Sequence, residues 1–126
     1  MSWQTYVDSN LVGTGKVAKA AIFGLDGSLW ATSADFKVGG EEVKNLIAGF
    51  ADTDNIAAKG LYFEGVKFVL LRSSADSIYA RQGANGVCCC KTAKAVIVGY
   101  YNENIQSGDC TVTVEGLADY LRNSGF

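Results

Sequence analysis

The spacing of apolar residues along the chain switches between a helical and a strand period, and each switch marks an element. In residues 2–11, Trp3, Tyr6, Val7 and Leu11 recur three and four positions apart, so a helix puts them on neighbouring rows, with Ser2 as its cap. Its two aromatics combine apolar bodies with an indole N–H and a phenol O–H, so the segment can both pack and display. Residues 20–25 and 29–33 read as strands around Asp26-Gly27, a short-range hairpin signal, and Trp30 lies on the second.

Behind Gly39-Gly40 the period changes again. Val43, Leu46, Ile47 and Phe50 recur at helical spacing with Glu41 and Glu42 in the first turn, which predicts a helix over 41–50 and a short helical turn at 54–58. Strands follow at 61–63, 66–72, 77–82, 87–92 and 95–101, joined by turns at Glu64-Gly65, at 83–86 and at Ala93-Lys94. Links this short require an antiparallel meander, because parallel neighbours need long crossovers. From residue 107 onward, local propensity and the wider pattern disagree. Cys110-Thr111-Val112-Thr113-Val114 alternates like a strand, yet Cys110, Val114, Leu117, Ala118 and Leu121 form one helical stripe. The longer window predicts a helix, with Asp109 near its start as a cap and Gly116 costing about 1 kcal/mol relative to alanine. Tyr120 stands beside the stripe, and the sequence ends on Phe126.

Composition narrows the chemistry. At 126 residues the chain is expected to form one domain with a core that needs no metal or disulfide staple. A net charge of -2 without runs of like charge leaves no electrostatic footprint for nucleic acid. Without a long apolar run or a signal-peptide pattern, a cytosolic protein is expected. Histidine is absent, which removes Ser-His and Cys-His couples, histidine metal sites and an imidazole pH switch. Cys88 and Cys90 would point to one face of a strand and Cys89 to the other, so they cannot converge on one ion; with Cys110 they read as buried reduced thiols. Gly13-Thr14-Gly15-Lys16 is not a phosphate loop, since Asn10 stands at the first glycine, Val17 at the Ser/Thr, and no strand precedes it. With no carboxylate cluster either, no metal, no cofactor and no enzymatic reaction class is expected.

The opening Ser2-Trp3-Gln4-Thr5-Tyr6-Val7-Asp8 with Leu11-Val12-Gly13-Thr14-Gly15 resembles that of profilins. So do Trp30-Ala31-Thr32-Ser33, Leu71-Arg72, Ser77-Ile78-Tyr79, Lys91-Thr92, and the ending Glu115-Gly116-Leu117-Ala118-Asp119-Tyr120-Leu121 with Gly125-Phe126. The resemblance covers essentially the whole chain and is strongest to profilins of amoeboid protists and fungi. It implies an α+β fold: a central antiparallel sheet with the N- and C-terminal helices packed on one face and short helices on the other.

The resemblance also implies two binding surfaces. Trp3, Tyr6, Trp30, Tyr120, Leu121 and Phe126 would form a polyproline groove, with parallel aromatic rings taking the prolines and indole and phenol groups donating to the ligand's free carbonyls. Lys67, Arg72, Arg81, Gly86, Gln106, Thr111, Val112, Glu115 and Gly116 would bind monomeric actin. Here the chain departs from the family pattern, which commonly has an Asp-Asp-Arg run at Ser74-Ala75-Asp76 and a lysine at Val112 or Gly116; losing basic residues should weaken contact with an acidic partner. Arg81, Lys91, Lys94 and Arg122 are the implied candidates for peripheral phosphoinositide contact. The implied protein is a monomer of the cytoplasm, cytoskeleton and cell cortex that delivers actin to formin-like or similar proline-rich partners and regulates polymerisation. The alternative is a divergent adaptor that keeps proline-rich ligands and has weak or lost actin binding.

Overall fold

A chain whose strands carry apolar residues at successive positions must cover both faces of its sheet, and the computed structural model, which describes residues 2–126, does so with helices on either side. The strands are β1 (Lys19–Gly24), β2 (Leu29–Thr32), β3 (Leu61–Phe63), β4 (Val66–Ser73), β5 (Ser77–Gln82), β6 (Asn85–Lys91) and β7 (Ala95–Tyr101). They form one curled sheet of order β2-β1-β7-β6-β5-β4-β3, antiparallel throughout. The expected meander runs from β3 to β7. Its last strand then pairs with β1, Ala20 opposite Gly99 and Ile22 opposite Ile97, which brings the two ends of the chain together. The helices are α1 (Trp3–Thr5), α2 (Gly40–Ala51), α3 (Thr53–Lys59) and α4 (Ser107–Asn123).

Two cores result, one on each face. Along β6 and β7 the period of two is explicit: Cys88, Cys90 and Ile97 pack with Val7, Leu11, Val114 and Leu121 beneath the terminal helices. Cys89, Val96 and Val98 pack with Phe23, Phe50, Ile56 and Phe68 beneath α2 and α3. All four cysteines are free and buried, with Cys88 and Cys90 on one face and Cys89 on the other as the alternation predicts.

The structure corrects the expected elements in three places. Ser2 does cap the opening segment, its Oγ accepting from Thr5 N–H at 3.2 Å, but after one α-helical turn the chain widens into a π-turn, Tyr6–Leu11, followed by a 3₁₀ turn, Val12–Thr14. In the wider turn Val12 N–H bonds the Val7 carbonyl, and Val7 and Leu11 are both fully buried while Asn10 faces outward. Asp109 does not cap α4. Gln106 holds that position without a side-chain bond, and Asp109 lies within the first turn, where its charge complements the helix N-terminus. The turn expected at 83–86 is shorter, because Gln82 pairs with Asn85 and β6 begins there.

Side-chain contacts link the β3–β4 turn to α2 and to β1. Glu64 and Gly65 take positive φ, 55° and 79°, in the tight β3–β4 turn. The Glu42 carboxylate accepts from the N–H groups of Gly39, Glu64 and Gly65 at 2.8, 2.9 and 2.7 Å, tying that turn to the start of α2. Lys19 Nζ on β1 donates to Glu64 at 3.3 Å, so the β3–β4 turn and β1, well separated in the strand order, lie close together.

Candidate functional site

Where the two ends of the chain meet, the terminal helices leave aromatic side chains on the surface. Gln4 Nε2 donates to the Thr32 carbonyl at 2.9 Å, anchoring α1 to β2 and bringing Trp3 against Trp30 at 4.7 Å between ring centroids. From Trp3 the contacts continue to Tyr6 at 5.6 Å and Phe126 at 5.2 Å, and from Tyr6 to Tyr120 at 6.2 Å. Trp3, Tyr6 and Trp30 are half-buried; Tyr120 and Phe126 are 52% and 39% exposed. The rings expected to be parallel are tilted instead, at 44° to 59°, with Trp3 and Phe126 edge-on at 87°. Aromatic quadrupoles favour such tilted contacts over face-to-face sandwiches. Burial, and then the neighbouring Tyr120 hydroxyl, push the Tyr6 phenol above its ordinary range.

Phe126 is held firmly for a residue so near the surface. Its carbonyl oxygen accepts from Thr92 Oγ1 at 2.6 Å and from Lys94 N–H at 2.7 Å, and its own N–H donates to Leu121 at 2.8 Å. Leu121 needs correcting as a groove residue: it is 1% exposed and belongs to the core, supporting the aromatic face from below.

Beyond Tyr6 and Tyr120 lies a cleft of about 530 Å³ lined by those two rings, Asn10, Val112, Thr113, Gly116 and Leu117. Val112 and Gly116, expected on the actin side, therefore adjoin the aromatic face. Asn10, Thr113 and Leu117 were missed by the sequence reading. The available signal was spacing, since Asn10 follows Tyr6, and Gly116 precedes Tyr120, by one helical turn each.

The outer strands and the start of α4 form a second patch. The Arg72 guanidinium lies 4.2 Å from the Tyr79 ring centroid, and the Tyr79 hydroxyl donates to the Glu115 carboxylate. Thr111 shares a shallow hollow with Leu71, Arg72 and Tyr79, so Arg72, Thr111 and Glu115 are brought together. Arg81 is exposed and opposite Gly86 on the neighbouring strand, Gln106 is exposed ahead of α4, and Lys67 lies further along β4 opposite Tyr62. Gly86 contributes closeness rather than surface: it is buried, and a Cβ there would run into the Tyr101 phenol. Val69 and Leu71, 59% and 56% exposed, add apolar surface that the sequence reading left out.

The four basic residues considered for lipid contact do not form one cluster. Arg81 pairs with Gly86 and Lys91 lies five residues further along β6, about 17 Å away at strand rise. Arg122 donates to the Lys91 carbonyl at 2.7 Å and is paired with Asp119 at 2.8 Å and Asp76 at 3.5 Å, so acidic neighbours offset its charge. Lys94 sits 5.5 Å from the Phe126 ring centroid. Among the described residues no group of His, Cys, Asp or Glu is placed to hold a metal ion, and no helix is long and apolar enough to cross a membrane.

Comparison with known proteins supplies the relatives. The family model described as Profilin matches residues 1–126. Profilin-1B of Acanthamoeba castellanii is 54% identical over 126 residues, covering all of both chains. The structure of Acanthamoeba castellanii profilin IB superposes with a TM-score of 0.97 at 53% identity, covering 99% of this chain and 100% of that one. Mouse profilin IIa, solved in complex with a double repeat from the FH1 domain of mDia1, shares the fold at 23% identity with a TM-score of 0.83, covering 100% of both chains.

Proposed function

The chain belongs to the profilin family, and from that premise we propose that it binds actin monomers on its outer strands and proline-rich segments on its aromatic face, regulating polymerisation and delivering actin to proline-rich partners. The observation that carries this reading is the unbroken run of half-exposed rings from Trp30 through Trp3 to Tyr6 and Tyr120, with Phe126 beside Trp3. A proline run is a ligand suited to such a surface. It keeps a left-handed three-residue helix without internal hydrogen bonds, so its rings present flat apolar faces and its carbonyls stay free for indole and phenol donors. Because the ligand is already ordered, docking loses little entropy. Phe126 offers apolar area without a hydroxyl, so a relative with tyrosine there would gain one hydrogen bond, worth about 0.5 to 1.5 kcal/mol.

For actin, support comes from the patch of Arg72, Tyr79, Thr111 and Glu115, where the guanidinium is stacked and the carboxylate hydrogen-bonded, with Lys67, Arg81 and Gln106 around it and exposed Val69 and Leu71 between. Preset charges lose little freedom on binding, and apolar surface ringed by charge suits a protein partner. Peripheral phosphoinositide contact through Lys91 and Lys94 would be weak and salt-sensitive, because Arg122 is already paired. The protein on this reading acts in the cytoplasm and cell cortex, as a monomer, and makes or breaks no bond. A second reading, an adaptor for proline-rich ligands with weak or lost actin binding, is favoured by bare Gly116 and apolar Val112, 71% exposed, on α4.

Pulldown of purified actin monomers beside a tryptophan-fluorescence titration with a proline decamer separates the readings. Both ligands should bind, and Arg72→Glu should weaken actin at least tenfold while leaving the decamer affinity unchanged. Decamer binding without actin binding would select the adaptor. Equal loss of both ligands in a folded Arg72→Glu protein would overturn the two-surface reading.

A further inference from the structure

On the α2 side of the sheet, between the β1–β2 hairpin and the start of α2, lies a second hollow of about 330 Å³. We propose that it binds a small carboxylate carrying an apolar chain or ring, with the tail against a floor of phenylalanine and the carboxylate at Lys37. None of the lining residues belongs to the aromatic face or to the patch on the outer strands. The site therefore stands or falls independently of both.

A bulge in the edge strand shapes the hollow. Ile22 on β1 lies opposite Ala31, and the next residue, Phe23, lies opposite Leu29, so Trp30 has no counterpart. Ala31 and Trp30 both pack with the core under the terminal helices, while Leu29 shares the face of Phe23. Leu29 stays 57% exposed beside a floor of buried Phe23, Phe36 and Val43. An apolar tail laid there takes out of water a surface that no element of the fold covers. Gly27 and Gly40 complete the lining without side chains, and a Cβ added to either meets nothing within 4 Å. The volume lies at the lower end of the range of about 300 to 1,000 Å³ usual for small-ligand sites, which suits a short chain or a single ring.

Charge decides the head group. Lys37 is the one charged residue of the lining, and it takes part in none of the ion pairs among the described residues. Carboxylates of the neighbouring turns are engaged elsewhere. Asp26 accepts from Ser28 N–H and Oγ at 3.0 and 2.6 Å, Glu42 from three backbone N–H groups, and Glu64 from Lys19 Nζ and the Lys37 N–H. The Thr32 hydroxyl, also on the lining, donates to the Phe36 carbonyl at 3.1 Å. The Lys37 ammonium is thus left without a carboxylate of its own chain beside an uncovered apolar surface. An anionic head complements it, and an ammonium head on the same tail would meet like charge.

The test is an NMR titration of the intact protein with octanoate and, separately, with octylammonium, read from backbone amide shifts. Octanoate should give saturable shifts centred on Gly27, Leu29, Val38 and Gly40, and should bind at least about tenfold tighter than octylammonium, equivalent to about 1.4 kcal/mol. Lys37→Glu, a change at an exposed side chain, should reverse that preference. Gly40→Phe, whose ring enters the hollow, should abolish both; Lys37→Glu alone carries the test if that variant does not fold. The absence of saturable shifts at these residues, shifts centred instead on Trp3, Tyr6 and Tyr120, or an unchanged preference in folded Lys37→Glu protein would each overturn the proposal.

Discussion

The two faces of the sheet use aromatic residues in opposite ways. Beneath α2 and α3, Phe23, Phe36, Phe50, Phe63 and Phe68 are all buried, between 2% and 6% exposed. Beside the terminal helices stand Trp3, Tyr6, Trp30 and Tyr120, each with a polar tip and each partly open to solvent, and Phe126 joins them at 39% exposure. Phenylalanine has no hydrogen-bonding atom, so burying it completely leaves nothing unsatisfied; an indole or phenol buried as deeply needs a partner for its N–H or O–H. One face therefore uses its rings for cohesion, and the other leaves rings with polar tips partly open to solvent.

The largest expected effect breaks the cohesive face. Phe68 packs edge-on against Phe63 at 5.4 Å and near Tyr100 at 6.3 Å, so Phe68→Ala should lower unfolding free energy by about 3 to 5 kcal/mol in denaturant titration. The folded fraction should bind a proline decamer with unaltered affinity. The display face should show the reverse: Trp3→Ala should cost less stability and yet weaken decamer binding by about 2 kcal/mol or more, read from Trp30 fluorescence. Full decamer affinity in a folded Trp3→Ala protein would remove the contrast.

The smallest effect concerns the core below the display face, where Cys88, Cys90 and Cys110 are all buried. Burial, and then the neighbouring Cys90, push the Cys110 thiol from its ordinary 9.0 up to about 12. The folded state thus favours the neutral thiol. Its contribution is whole below pH 9 and declines as pH rises from 9 towards 12, where only the unfolded chain ionises. Thermal unfolding midpoints should fall across that window, and the fall should be shallower in Cys110→Ala. An identical slope in the variant would exclude this thiol as a source.

Much of this was readable before the structure. Periodicity predicted the strands, the three later helices and the alternating cysteines, because each depends on residues within one or two turns of one another. Trp3, Tyr6, Trp30 and Tyr120 stood out by residue type and spacing, and the resemblance to profilins grouped them. The opening segment was misjudged in part, since α and π turns satisfy the same apolar spacing at Val7 and Leu11, and packing chooses between them. Leu121 and Gly86 were assigned to surfaces although both are buried, one under the aromatic face and the other under Tyr101.

By itself, then, the sequence determined the elements, the lack of imidazole chemistry and which residues carried both apolar and donor groups. All of these are local: they follow from side-chain chemistry and from backbone repeats of two or 3.6 residues. Only the tertiary structure decided that β7 lies beside β1, that Trp3 meets Trp30, and that Asn10, Val112 and Gly116 share a cleft with Tyr6 and Tyr120. Those neighbours are far apart in the chain, and what joins them is the simultaneous covering of both faces of one curled sheet, a condition no single segment can express.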